Sequence, residues 1–324
     1  MLSFLSLAKQ PSLARNITSL ALGKFDGMHR AHQVLFEKLG DKGAILCIEN
    51  NQGELLPQKY RAFYASYPIF SLPLEYVRSK SDKEFVEFLL EILPNLECLV
   101  VGYDFRFGKE RHYYTFDLQK RFQGRVIVVD EVFYKKLSVH SGLIKELLIN
   151  GNLKQANKLL GRPFEIRGGI VRGQGIGAKE LVATINLQND GFLLPKEGVY
   201  AGFVQLGAQS AESLKYPAVI FIGNRLSTDK SFAIEGHLLG MKLEVQQKEA
   251  GFFLVKYLRE NKHFEHLSEL KEQIQRDIQR AYKALKCENR ESKENVENAS
   301  SANLEFQNNV RQTAESQNAI KSKE

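Results

Sequence analysis

Cysteine is scarce in this 324-residue chain, and long apolar runs are missing from it. The three cysteines, Cys47, Cys98 and Cys287, lie far apart without CxxC spacing, which argues against a disulfide framework or a zinc site and favours a reducing compartment. No stretch approaches the roughly 20 apolar residues that a membrane span requires. The N-terminal segment lacks the basic start and the small-residue cleavage site of a secretory signal. We therefore expect a soluble, cytoplasmic protein with no membrane partner.

Basic residues outnumber acidic ones, and the surplus lies in the part of the chain that we expect to fold. The whole chain carries a formal charge of +7, whereas residues 287–324 hold five Lys/Arg and seven Asp/Glu, so the preceding residues carry +9. Such a surplus is typical of proteins that bind nucleic acid or phosphorylated small molecules. No RNP-type motif, KH loop or arginine-rich stretch is present, which favours small molecules and no nucleic-acid partner. We expect a monomer or weak oligomer.

The first 141 residues alternate short apolar runs with helical patterns. Ser81–Glu84 has the sequence of a capping box and predicts the start of a helix. The apolar runs are continuous, as in strands that are buried on both faces of a parallel sheet. Residues 1–141 are therefore predicted to form an α/β doubly wound, nucleotidyltransferase-like (Rossmann-like) domain. The predicted strands are Thr18–Gly23, Ala44–Glu49, Glu97–Gly102 and Arg125–Asp130.

The pattern changes after a helical linker at residues 142–162, which reads as two short helices broken at Asn150-Gly151. Residues 163–286 hold β-rich segments separated by turn residues, which predicts a small β-barrel with a closing helix. Residues 287–324 are rich in Asn, Ser, Glu and Gln, and we expect a disordered tail. The β-rich segments are GGIVRG, GVYAGFVQL, YPAVIFIG, SFAIEGHLL and MKLEVQQ. The closing helix carries on one face Leu270, Ile274, Ile278, Ala281 and Leu285.

A first candidate site, LALGKFDGMHRAH, runs from a predicted strand through a glycine-bearing turn into a predicted helix. Gly23 and Gly27 permit the tight turn and let a phosphate approach backbone N–H groups at the helix start. His29 and His32 share one face of that helix and can act together on one phosphoryl group as catalytic residues. The alternatives are accidental spacing or a partial metal site, but two histidines without a third ligand seldom hold zinc. The context favours phosphate chemistry.

A second candidate site begins in the glycine-rich segment GQGIGAKELVATINL and includes a later strand. The residues that could face a polyphosphate are Gly173, Gly175, Gly177 and Lys179, although a flexible β-turn explains the glycines equally well. Thr184 and Asn186 point to the same side of a predicted strand, where their oxygens can hold magnesium beside a triphosphate. Glu235 lies on the polar face of SFAIEGHLL. It can take the proton of an attacking alcohol, or it is a solvated strand residue.

These motifs carry a resemblance to a known family. GKFDGMHRAH resembles the GxFDGxHxGH motif of the bifunctional riboflavin kinase/FMN adenylyltransferases, the bacterial FAD synthetases, and VGYDFRFGKER resembles their G-x-[DN]-F-x-F-G segment. In that family the N-terminal module transfers AMP from ATP to FMN and releases pyrophosphate. The resemblance implies that His29 and His32 stabilise the transition state at the α-phosphate. ATP and phosphate binding then fall to Gly23, Phe25, Asp26 and Gly27, and the flavin or adenine side to Asp104 and Phe105.

Two departures from the family pattern lie in this N-terminal module. Ala31 replaces the second glycine of the histidine motif, which adds a methyl group where nucleotide and backbone come close. The family's second phosphate motif, ISSTxxR, aligns with VHSGLIK at residues 139–145. There Ser141 is kept, and Lys145 stands for arginine. Lysine neutralises phosphate as a point charge without the bidentate fork of arginine.

The C-terminal half resembles the family's kinase module. LVATINL is a variant of the G-[FI]-PTAN signature, IEGHLL fits the E-x-H segment, and residues 198–200, 221–227 and 258–264 align in order. By that resemblance Thr184 and Asn186 bind Mg-ATP, and Glu235 is the base that activates the ribityl 5′-hydroxyl of riboflavin. Departures include Ala183 for proline, Ile185 for alanine and Leu226 for the proline after arginine.

Three functions are compatible with the sequence. The leading interpretation is an enzyme that phosphorylates riboflavin to FMN and then adenylylates FMN to FAD, with ATP as co-substrate, Mg²⁺ as cofactor and FMN and FAD as products or substrates. A second is a riboflavin kinase whose adenylyltransferase module is weakened by the changes at residues 139–145. A third, a basic nucleotide- or RNA-binding protein, has no supporting motif.

Overall fold

The computed structural model describes residues 2–49, 54–171, 184–208, 214–227, 230–240 and 247–286. It contains a parallel-sheet α/β half followed by a β-barrel half, so the predicted fold class is confirmed. The predicted disordered tail, residues 287–324, lies outside the described residues, as do Gly173, Gly175, Gly177 and Lys179. No helix among the described residues is long and apolar enough to cross a membrane.

The N-terminal half is built on a six-stranded sheet in the order β1-β4-β3-β2-β5-β8, with every neighbouring pair parallel. Four of its strands are those predicted, with bounds that differ by one residue at most; β1 and β4 were not predicted. Two short hairpins, β6–β7 and β9–β10, extend the loops at one edge. The strands are β1 (Leu2–Ser3), β2 (Ser19–Gly23), β3 (Gly43–Glu49), β4 (Ile69–Pro73), β5 (Cys98–Gly102), β6 (Arg106–Phe107), β7 (Tyr113–Tyr114), β8 (Arg125–Val129), β9 (Phe133–Tyr134) and β10 (Leu137–Ser138).

Helices in this half and in the linker begin where local signals predict them. Ser81 and Glu84 form the predicted capping box, in which each side chain accepts a hydrogen bond from the other residue's backbone N–H, at 3.3 and 2.8 Å. The linker is two helices separated at Asn150–Asn152, as predicted. The helices are α1 (Pro11–Asn16), α2 (Arg30–Phe36), α3 (Gln58–Arg61), α4 (Asp82–Ile92), α5 (Thr115–Arg121), α6 (Ser141–Ile149) and α7 (Leu153–Leu160).

The C-terminal half is a closed six-stranded barrel in the order β11-β12-β15-β14-β13-β16. Its strands are β11 (Phe164–Val171), β12 (Ile185–Asn189), β13 (Gly198–Leu206), β14 (Lys215–Asn224), β15 (Phe232–Leu238) and β16 (Glu249–Arg259). The predicted segment MKLEVQQ falls largely in residues 241–246, outside the described residues, and β16 was not predicted. A C-terminal helix, α8 (267–286), packs Ala281, Ala284 and Leu285 against the barrel, which confirms the closing helix.

The two halves share one hydrophobic core. Phe25, Leu55 and Tyr60 from the sheet half belong to the same buried cluster as Phe164 and Phe192 from the barrel half. Polar bonds reinforce this contact, because the Tyr60 hydroxyl and the Lys59 ammonium both donate to Asp190 Oδ2, each at 2.6 Å. The segment that carries Leu55 and Tyr60 therefore touches both halves.

Candidate active sites

The first site is a cleft at the carboxyl ends of the parallel strands, where open α/β sheets bind ligands. The strands β2, β5 and β8 end at Gly23, Gly102 and Val129, and all three residues line a cavity of about 970 Å³. The chain leaves β2 toward one edge of the sheet and returns at β5 on its other side, so the cleft lies where the strand order reverses. The predicted residues that line it are Gly23, Phe25, Asp26, His29, His32, Asp104, Phe105 and Ser141.

A strained loop follows β2 and forms one wall of the cleft. Phe25, Gly27 and Met28 all have positive φ, at 50°, 88° and 43°, and such backbone is costly for the two residues with side chains. Asp26 holds the loop in place, since its buried carboxylate accepts hydrogen bonds from Leu55 N–H at 2.8 Å and Leu56 N–H at 3.3 Å. Strain that the surrounding structure maintains in this way is typical of binding sites.

Helix α6 clamps the same loop from the other side. The Lys145 ammonium lies 2.9 Å from Asp26 Oδ2, and the Ser141 hydroxyl donates to the Asp26 carbonyl oxygen at 2.8 Å. Lys145 and Gly27 do not line the cleft, whereas Ser141 does. In this structure Lys145 pairs with a buried carboxylate and Gly27 lies beneath Leu55, and their assignment to phosphate binding stays a prediction.

His29 and His32 come together as the sequence predicts, but not as two residues inside one helix. His29 precedes α2 in extended backbone, and His32 lies within the helix, with their rings stacked 3.5 Å apart. Burial, followed by the charges of Arg162 and His140, lowers the pKa of His29 to about 3. Burial also lowers the pKa of His32 well below its ordinary value. Both imidazoles are therefore neutral at pH 7, so they carry no positive charge but can donate or accept hydrogen bonds.

Cations that the sequence analysis did not select supply positive charge to the cleft. Lys24, Arg78, Arg106, Lys109 and Arg111 all line it. Three of them, Arg106, Lys109 and Arg111, lie in the segment FRFGKER, which begins at Phe105. The density of basic residues in that segment was a signal that the sequence offered. Positive charge around a cleft at strand ends suits a polyphosphate ligand.

The second site lies on the outer face of the barrel. Ile185 and Leu187 of β12, and Ile234 of β15, belong to the buried core, so the residues that alternate with them face outward. Asn186 and Glu235 are direct cross-strand partners on that outer face. The structure thus brings together an amide oxygen and a carboxylate that are far apart in sequence.

Arg225 connects these two residues, and the sequence analysis did not select it. Its guanidinium donates to Glu235 Oε1 from Nε at 2.9 Å and from Nη2 at 2.6 Å. Nη2 also donates to Asn186 Oδ1 at 2.9 Å, and Nη1 donates to the Ser231 hydroxyl at 2.6 Å. The sequence offered one signal for Arg225, because it lies in FIGNRLS, a segment that aligns with the family. In that segment the sequence analysis discussed only Leu226.

The oxygens of this site suit magnesium. Thr184, half-buried, immediately precedes β12, and the site offers a hydroxyl, an amide oxygen and a carboxylate, which are hard ligands. Among the described residues, no group of three or more His, Cys, Asp or Glu side chains could hold a metal ion. The hydroxyl of Thr184 and the amide oxygen of Asn186 are ligands of the kind that fit Mg²⁺, which commonly takes one or two protein oxygens and completes its shell with phosphate and water.

Comparison with known proteins finds similarity to flavin-synthesising enzymes over both halves of the chain. Residues 160–285 match the family model Flavokinase, described as riboflavin kinase, so the barrel half is a flavokinase domain. The chain is 28% identical to a protein from Buchnera aphidicola subsp. Schizaphis graminum over 81% of this chain and 92% of that protein. It is 29% identical to a protein from Escherichia coli strain K12, over 80% of this chain and 90% of that protein. Both are named bifunctional riboflavin kinase/FMN adenylyltransferase.

These matches extend over both halves, so the chain is similar to bifunctional riboflavin kinase/FMN adenylyltransferases over most of its length, as the motifs indicate. A protein from Listeria monocytogenes with the same name is 26% identical over 80% of this chain and 90% of that protein. A crystal structure described as a macrolide-efflux protein from Streptococcus pneumoniae has a TM-score of 0.69 and 23% identity, over 81% of this chain and 92% of that chain. This likeness supports the two-part fold.

Proposed function

We propose that this enzyme phosphorylates riboflavin to FMN and then adenylylates FMN to FAD, using ATP in both reactions. The single observation that carries the proposal is the cross-strand pairing of Asn186 and Glu235 inside a flavokinase domain. The division of labour that we propose assigns riboflavin phosphorylation to residues 163–286 and adenylyl transfer to residues 1–141, with residues 142–162 as the linker. The substrates are small molecules, which fits the absence of nucleic-acid motifs in the sequence.

In the kinase reaction, the riboflavin 5′-oxygen forms a bond to the γ-phosphorus of ATP, and the bond from that phosphorus to the β–γ bridging oxygen breaks, so ADP leaves. Glu235 takes the hydroxyl proton. Its Oε1 is held by Arg225, and Oε2 lies outside that fork, which leaves an oxygen for the substrate. Thr184 and Asn186 would hold Mg²⁺, which when bound neutralises charge on the triphosphate.

In the adenylyl transfer, an FMN phosphate oxygen bonds to the α-phosphorus of ATP, and the bond from that phosphorus to the α–β bridging oxygen breaks, releasing pyrophosphate. His29 and His32, neutral and desolvated, would donate hydrogen bonds to the charge that develops on the transferred group. Asp26, Gly23 and Phe25 shape the loop that presents them. Asp104 and Phe105, which also line the cleft, would contact the flavin or adenine.

We place the protein in the cytoplasm. Cys47 and Cys98 are free and buried, and burial raises the pKa of the Cys47 thiol to about 11, so this thiol stays protonated and unreactive at neutral pH. Free thiols of this kind fit a reducing compartment.

The experiment that tests the proposal is incubation of the purified full chain with riboflavin and Mg-ATP, with the products resolved by chromatography. FMN and FAD are both expected. FMN without FAD would instead show a riboflavin kinase alone, and neither product would refute the flavin assignment. Glu235→Gln should lower the rate of FMN formation at least about 100-fold, while FAD formation from supplied FMN continues. His29→Ala is the matched reverse case and should remove FAD formation alone.

A further inference from the structure

We infer that Arg225 is a positioning residue of the phosphorylation site, one that holds the proton acceptor Glu235 and the amide of Asn186 in a fixed geometry for transfer to a flavin alcohol. This inference rests on the proposed function. It is carried by four hydrogen bonds from one guanidinium to described residues, which connect two neighbouring strands and the turn beside them.

The backbone of Arg225 is itself fixed. Arg225 directly follows β14, and its N–H donates to the Ser231 carbonyl oxygen at 2.9 Å, while its own carbonyl accepts from Lys230 N–H at 3.2 Å. The Ser231 hydroxyl also accepts from Nη1 at 2.6 Å. The guanidinium is therefore anchored at both ends of the side chain, at the point where β14 turns toward β15.

The bonding pattern requires a planar fork. Nε and Nη2 both reach Glu235 Oε1, at 2.9 and 2.6 Å, and Nη2 also reaches Asn186 Oδ1 at 2.9 Å. A lysine ammonium has three donors around one point and cannot reproduce this spread. The bond to Asn186 fixes the amide oxygen against the guanidinium, and that oxygen has a second lone pair for another ligand.

Charge gives the fork a second use. Glu235 and a triphosphate are both anionic, and the side chain of Glu235 is only 21% exposed, so water screens their repulsion incompletely. Arg225, only 17% exposed, places a permanent positive charge against the carboxylate. Without Arg225, the carboxylate would be free to rotate away from the incoming anion, and a displacement of about 1 Å can cost about 100-fold in rate.

The test compares Arg225→Ala, Arg225→Lys and Ser231→Ala in the full chain, with Arg276→Ala as the control. Arg276 lies on α8, where it forms an exposed ion pair with Glu272, and it has no proposed part in phosphorylation. The expected result for Arg225→Ala is a fall in kcat for riboflavin phosphorylation of about 100-fold, with a change in KM for riboflavin below about threefold. Guanidinium ion added to the buffer should raise the kcat of Arg225→Ala at least about tenfold.

Two variants keep the test valid if Arg225→Ala does not fold. Arg225→Lys retains the charge and most of the side-chain volume, but its kcat should still fall about 30-fold. Ser231→Ala removes only the hydroxyl that accepts from Nη1, and its kcat should fall about fivefold. FAD formation from supplied FMN reports that each variant is folded. A kcat within twofold of wild type for both Arg225 variants, or a loss that guanidinium does not reverse, would overturn the inference. Absence of FMN formation by the wild type would overturn the proposed function, and this inference with it.

Discussion

Acid should destabilise this protein through the histidines of the first site. His29 has an ordinary pKa of 6.5 in the unfolded chain and a pKa of about 3 when folded, because the folded protein buries the ring beside Arg162 and His140. The unfolded state therefore binds more protons than the folded state between these values. Stability is fully present above pH 6.5 and is lost progressively as the pH falls toward 3.

The size of the effect follows from the two pKa values. At pH 5.5, protonation of His29 in the unfolded chain shifts the folding equilibrium toward the unfolded state by a factor of about 11, which lowers the free energy of unfolding by about 1.4 kcal/mol. At pH 7.5 the same factor is near one. His29→Gln keeps a hydrogen-bonding side chain but removes this titration. The loss of unfolding free energy between pH 7.5 and 5.5 should therefore shrink by about 1.4 kcal/mol in the variant.

Urea denaturation followed by circular dichroism measures this difference at each pH, and tyrosine fluorescence serves as a second probe because the chain has no tryptophan. Proton NMR gives the pKa directly, since the C2–H resonance that disappears in His29→Gln identifies His29 among the seven histidines. That resonance should not titrate between pH 5 and 8. A titration midpoint above 5.5, or the same acid sensitivity in wild type and variant, would refute the reasoning.

Three other substitutions test separate contacts. Lys145→Met leaves the buried Asp26 carboxylate without its cation and should lower the unfolding free energy by about 2 kcal/mol, as urea denaturation would measure. Gly27→Ala places a side chain at a φ of 88° and should cost about 2 kcal/mol and reduce FAD formation from FMN, as chromatography would measure. Arg259→Met leaves the buried Asp277 carboxylate without its cation, with the Gln273 amide still donating to it, and should expose α8 to faster chymotrypsin cleavage.

Matched variants separate these effects from general damage. Gly40→Ala adds a Cβ with nothing within 4 Å and should change neither stability nor FAD formation. Lys145→Arg keeps the cation and should cost less than about 1 kcal/mol. Arg276→Ala breaks only an exposed pair and should leave the chymotrypsin rate unchanged. Equal losses in a variant and its control would contradict the structural assignment of that contact.

Local patterns predicted much of the fold. The capping box at Ser81–Glu84 and the break between α6 and α7 depend on neighbouring residues, so the sequence alone indicates them. The unpredicted β16 has apolar residues on both faces: Phe252 and Leu254 belong to the shared core, and Val255 packs with α8. It therefore lacks the alternation of a half-exposed strand. The unpredicted β4 carries a buried Ser71, which interrupts an otherwise apolar run.

The sequence indicates the candidate site residues one by one, but it does not indicate which of them contact each other. Asn186 and Glu235 were selected separately, and their direct pairing emerges only from the barrel register. Asp26 and Lys145 are similarly distant in sequence, and nothing local indicates that the lysine would pair with the aspartate. Arg225 was missed for the same reason, since its importance lies in what three-dimensional folding places around it.

The contact between the two halves has a consequence for any attempt to separate them. Because Tyr60 and Phe192 lie in one buried cluster, a cut through the linker would expose apolar surface on both fragments and strip Asp190 of its two donors. Exposed apolar surface of that kind promotes aggregation. Each half therefore serves as part of the other's folding environment, and an exchange of one half between relatives would have to carry the matching contact surface with it.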